Sequence, residues 1–97
     1  MTEEKLEQAV DEAESLMKFP MDFPIKVMGL ADPTFPKVVA DIARMHCEDF
    51  DDSKTTVEYS RTRKYMSVTV EIEAHSKEQL DDLYRAYTSH PMVKIVL

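Results

Sequence analysis

Residues 65–74, YMSVTVEIEA, alternate without a break: Met66, Val68, Val70, Ile72 and Ala74 fall to one side, Ser67, Thr69, Glu71 and Glu73 to the other. A period of two marks a β-strand with one face packed and the other wet, because successive side chains leave a strand in opposite directions. The preceding run, Thr55 to Arg61, alternates more weakly around Val57 and Tyr59, so the two read as a hairpin. Its tip, Ser60 to Lys64, carries Arg61, Arg63 and Lys64 and no Asn-Gly or Asp-Gly pair, so no turn type follows from it.

The stretch from Phe19 to Arg44 supplies a neighbour for that hairpin. Between the breakers Phe19-Pro20 and Phe23-Pro24 and the only glycine, residues 22–29 place Phe23, Ile25 and Val27 on one face and Lys26 and Met28 on the other, a second half-packed strand. Gly29 is expected to end it where the backbone turns. Asp32 or Thr34 then caps a helix whose opening turn holds Pro33 and Pro36, with Phe35, Val38, Val39, Ile42, Met45 and His46 facing a core and Lys37, Asp41 and Arg44 facing away. Residues 48–54, rich in acids and lacking apolar periodicity, read as a loop. After the hairpin, Ser76 and Gln79 form a capping box for a second helix with Leu80, Leu83, Tyr84 and Tyr87 as its inner stripe; His90 is placed in its last turn, and Pro91 blocks continuation. Met92 to Leu97 is a short final strand with Val93, Ile95 and Leu97 on one face.

Residues 2–18 repeat Leu6, Ala9, Val10, Ala13, Leu16 and Met17 at helical spacing, with acids around the rest of the circumference. The chain therefore divides into an acidic amphipathic helix or frayed arm over 1–18 and one domain over 19–97. The order β-α-β-β-α-β with right-handed crossovers gives an α+β, ferredoxin-like two-layer sandwich: a four-stranded antiparallel sheet, strands one and three central, with both helices on one face.

Composition narrows the function. Hydrophobic residues are 43% of the 97 and charged residues 32%, a balance that folds. The net charge of −7 argues against a nucleic-acid partner, since that affinity comes from Lys and Arg displacing counterions. A lone cysteine, Cys47, forms no internal disulfide, and no leader or apolar span points to a membrane, so a cytoplasmic place is expected.

No P-loop, GxSxG, HExxH or paired CxxC spacing occurs, so no catalytic residue, metal or cofactor is expected. His46 and Cys47 are neighbours about 100° apart on a helix, which suits neither a closed metal site nor an activated thiol. His46, His75 and His90 read better as capping or core histidines. Asp81 with Asp82, and Glu71 with Glu73, read as surface charge; Met45 and Met66 read as core. The candidate ligand site is the turn after the first strand, Met28, Gly29, Asp32 and Thr34, where a glycine and the first amides of a helix offer donors to an anion.

Phe19, Pro20, Phe23, Lys26, Val27, Met28, Gly29, Tyr65, Ser67, Leu83, Tyr84 and the terminal Val96-Leu97 occur in a collinear order similar to the small bacterial YbeD-like family. The resemblance covers residues 19–97. It implies a fold like that of the amino-acid-sensing ACT domains, a family of unestablished activity, and a regulatory or lipoate-related role. Arg63 stands where the family tends to carry glycine. Together these readings give a non-enzymatic ligand-sensing or regulatory module that takes a small carboxylate, or else a protein-protein adaptor, acting as a monomer or weak homodimer.

Overall fold

The computed structural model describes residues 18–97. The accessory helix expected over 2–18 lies outside them but for Lys18. The elements run β1 (Met21–Leu30), α1 (Phe35–His46), a 3₁₀ turn (Asp52–Lys54), β2 (Thr56–Tyr59), β3 (Tyr65–Ala74), α2 (Lys77–Thr88) and β4 (Val93–Val96). The sheet is antiparallel in the order β2-β3-β1-β4, the ferredoxin-like α+β arrangement expected from the element string.

β1 and β3 pair along their whole length, from Met21 opposite Ala74 to Leu30 opposite Tyr65. Because partners in register share a face, Ile25, Val27, Val68, Val70 and Ile72 form one apolar surface, and the helices bury it with Phe35, Val39, Ala43, Leu80, Leu83 and Tyr87. The Tyr87 hydroxyl, buried between the helices, donates to the Val39 carbonyl at 2.8 Å. Burial pushes that phenol well above its ordinary pKa, so it stays a donor at all physiological pH values.

Gly29 does not end its strand. The pairing continues through Leu30, and no glycine has a positive φ. What Gly29 provides is room: a Cβ there would lie 2.3 Å from the Met92 carbonyl oxygen and 2.9 Å from Cζ of Phe35. The absent side chain lets the start of β4 and the first ring of α1 close on β1 together. The pairing of β1 with β4 is irregular at the same place, between Met28 and Gly29: Val27 faces Val96, Met28 faces Ile95, but Gly29 faces Val93. This bulge breaks the alternation of β4. Val93 and Val96 turn inward, whereas Ile95 sides with Met28 on the face opposite the helices, in contrast to the single Val93-Ile95-Leu97 stripe expected.

Two further expectations are corrected. Met45 is 81% exposed; the buried stripe of α1 is Phe35, Val39 and Ala43, and two residues beyond Ala43 a side chain has turned about 200° away. Cys47 takes the inward place at the end of α1. His90 lies beyond α2 rather than in its last turn, and its Nδ1 accepts the Met92 N–H at 3.1 Å, so the ring shapes the turn into β4.

Capping at α2 follows the sequence closely. Ser76 Oγ accepts the Gln79 N–H at 3.1 Å, while Gln79 Oε1 accepts from His75, one residue earlier than a capping box requires. The Gln79 Nε2 then donates to the His46 carbonyl at 3.0 Å, tying the end of α1 to the start of α2.

Candidate functional site

The face of the sheet turned away from the helices has no covering layer among the described residues. Its tip end is built by three separated segments. Met28 comes from β1, Lys94 and Ile95 from β4 through the bulge, and Ser60 and Tyr65 from the base of the hairpin; with Gly29 they line a shallow hollow of about 530 Å³. Ile95 is 51% exposed and Tyr65 41%, and Leu30 and Leu97 on the same face are also open.

The hairpin tip fixes one wall. The Ser60 N–H donates to the Tyr65 carbonyl at 2.9 Å, and Ser60 Oγ accepts the Tyr65 N–H at 3.0 Å. Arg63 donates its N–H to the Ser60 carbonyl and adopts φ 61°, the left-handed conformation that a glycine would take without steric cost. Its guanidinium lies 5.0 Å from the Tyr59 ring centre, and Lys64 Nζ lies 5.6 Å from that of Tyr65, so both cations are held against aromatic faces.

Of the four residues expected to make the ligand site, the structure brings Met28 and Gly29 into this hollow. Asp32 and Thr34 do not line it. They bond to one another: Asp32 Oδ1 accepts the Thr34 N–H at 2.8 Å and its hydroxyl at 2.7 Å. The hydroxyl and then the amide hold the exposed Asp32 carboxyl below its ordinary pKa. The Asp32 carbonyl takes the Phe35 N–H and Pro36 has none, so the opening of α1 is already largely satisfied.

Nothing in the sequence pattern marks Lys94, Ile95 or Ser60 as ligand residues. Tyr65 alone had a signal, its place in the family likeness. Lys94 and Ile95 reach the hollow only because of the bulge.

A second cluster lies at the opposite end of the sheet. Asp49, Glu73 and His75 offer possible ligand atoms within 4.8 Å of one another, with His75 Nε2 3.5 Å from Asp49 Oδ2. A hydrogen bond shared with Glu73, and to a smaller extent His75, holds Asp49 below its ordinary range. All three are exposed, so His75 is a surface group rather than a core or capping one. Cys47 nearby is buried, and burial followed by the Asp49 charge pushes its thiol up, opposite to what a nucleophile needs.

Comparison with known proteins agrees with the likeness read from the sequence. The family described as "Protein of unknown function (DUF493)" matches residues 14–97. A UPF0250 protein of Janthinobacterium sp. (strain Marseille) is 48% identical over 88 residues, covering 91% of this chain and 97% of that protein. One from Paraburkholderia phytofirmans is 46% identical over 84 residues, covering 87% and 94%. UPF0250 protein NE1487 of Nitrosomonas europaea is 45% identical over 84 residues, covering 87% and 97%.

Proposed function

We propose, for a chain that belongs to the DUF493 family of proteins of unknown function, a non-enzymatic regulatory module that takes a small carboxylate with an apolar body on its open sheet face. The observation that carries this reading is an apolar hollow with one cation at its rim. Met28, Tyr65 and Ile95 supply the apolar surface, and Lys94 makes no ion pair among the described residues. Its volume falls within the roughly 300–1,000 Å³ usual for small-molecule sites. Besides Lys94 and Tyr65 the lining holds no group that moves a proton, and no carboxylate, imidazole or thiol stands beside them as a partner, which favours holding over chemistry. Of the sequence candidates, Met28 and Gly29 belong to this site, and Asp32 and Thr34 serve the start of α1.

Titration of isotope-labelled protein with straight-chain carboxylates of increasing length tests it. Shifts at Met28, Tyr65, Lys94 and Ile95 are expected, with affinity rising about fourfold per methylene, as burial of about 0.8 kcal/mol each requires. Lys94→Gln should weaken the acids and leave the matching alcohols unchanged. Shifts elsewhere, or none, would overturn the site. A second reading, a protein-protein adaptor, is favoured by the shallowness of the hollow and by the open Leu30 and Leu97 beside it, which extend the apolar surface beyond what a small ligand covers.

A further inference from the structure

The carboxylates at the Met21 end of the sheet stand together without a matching cation. Asp22 and Glu73 are directly opposite one another on β1 and β3, a pairing in which like charges weaken a sheet. Asp49, from the turn after α1, comes within hydrogen-bonding reach of Glu73. The ion pairs of the described residues bring no lysine or arginine to any of the three. Carboxylates this close repel unless a proton or a cation lies between them.

A nitrogen donor is set among them by the same strand. Glu73 and His75 lie two residues apart where β3 ends, with the buried Ala74 between them, so both side chains leave on the side opposite Ala74. The His75 N–H is held by Gln79 Oε1 at 2.7 Å, and the turn that carries Asp49 is closed by the Phe50 N–H on the Cys47 carbonyl at 3.1 Å. Fixed backbones on both sides therefore present the three side chains to one point. Ligand atoms of a tetrahedral centre with bonds of about 2.1 Å stand about 3.4 Å apart. His75 Nε2 and Asp49 Oδ2 already stand 3.5 Å apart, and the separations to Glu73, at most 4.8 Å, close by rotation of that flexible, exposed side chain.

We propose that Asp49, Glu73 and His75 bind a divalent transition-metal ion. The imidazole selects such an ion over magnesium or calcium, which prefer oxygen alone, and the two carboxylates cancel its charge. Three protein ligands leave the remaining coordination to water, on the side of a hollow of about 390 Å³ that His46 and Glu48 also line. The ion would tie the turn after α1 to the end of β3. The site is at the far end of the sheet from the proposed carboxylate hollow and does not depend on it.

The experiment titrates the untagged, isotope-labelled full chain, stripped with a chelator, with zinc ions alone. One equivalent should shift the His75 ring signals and the amides of Asp49, Glu73 and His75, and raise the thermal midpoint until chelator is returned. Glu73→Gln, Asp49→Asn and His75→Gln should each weaken binding by more than about tenfold, the least that loss of even a supporting group costs. His90→Gln should change nothing. All three ligands are exposed, so the variants are expected to keep the native amide spectrum without metal. Ring shifts at His46 or His90 in place of His75, affinity that survives Glu73→Gln, or a dissociation constant weaker than about 1 mM would overturn the site. Magnesium bound as tightly as zinc, and indifferent to His75→Gln, would overturn the choice of ion.

Discussion

On the covered side of the sheet Val27, Val68 and Val70 are fully shielded, while one residue along the strands Met28, Ser67 and Thr69 face the side that no described helix covers. Both faces belong to the same two central strands, and both carry apolar groups. The covered face is apolar at nearly every position and is matched by two helical stripes. The open face mixes Met28, Leu30, Tyr65 and Ile95 with lysines, carboxylates and hydroxyls. Such a mixture tolerates water and still offers apolar contact.

The strongest way to break this contrast is to place a carboxylate on the shielded side. Val70→Asp is expected to abolish folding, because a buried unpaired carboxylate costs at least about 5 kcal/mol against a whole stability of roughly 5–15 kcal/mol. Glu71→Ala, one residue away on the open face, should leave the denaturation midpoint nearly unchanged; equal midpoints for the two variants would reverse the assignment of faces.

Gly29→Ala comes next. A methyl group 2.3 Å from a backbone oxygen forces β4 or Phe35 to move, with an expected loss of about 3 kcal/mol in chemical denaturation. A loss under about 1 kcal/mol would show that β4 yields easily. Tyr87→Phe removes the hydroxyl bond between the helices and should cost about 1 kcal/mol, read the same way.

The smallest effect concerns pH. The folded-state pKa of Asp32 lies below its ordinary value, so its contribution is present above the unfolded value of 3.8 and is lost as pH falls through the folded one. Asp32→Asn should therefore differ from the native protein at neutral pH and begin to converge with it only below about pH 4. A difference constant across that range would remove the carboxylate bonds to Thr34 from the account.

The elements that the sequence disclosed are those governed by local pattern. The alternation of 65–74 matched β3 at both ends, and Ser76 with Gln79 marked the start of α2. Gly29 misled because a glycine signals freedom without saying which kind: conformational freedom was the obvious reading, and steric room was the one used. Met45 misled because the residue that displaced it from the core, Ala43, is too small to stand out in an apolar pattern. Of the hollow, only the β1 wall, Met28 and Gly29, was legible. Its walls come from residues 28, 60, 65 and 95, brought together by strand pairing and one bulge, and neither has a local signature.

The Gln79 side chain has a consequence for how the molecule opens. One amide group receives the His75 N–H and donates to the His46 carbonyl, and a weaker contact of 3.5 Å reaches Cys47 Sγ. Gln79 and His46 are 33 positions apart. The cap of one helix is therefore complete only when the other has docked, so the last turn of α1 and the first of α2 should exchange their amide hydrogens with a common opening free energy, as a single cooperative unit. In Gln79→Ala the two ends would be expected to fray independently, α2 at its start and α1 at its finish, while the paired core of β1 and β3 keeps its protection.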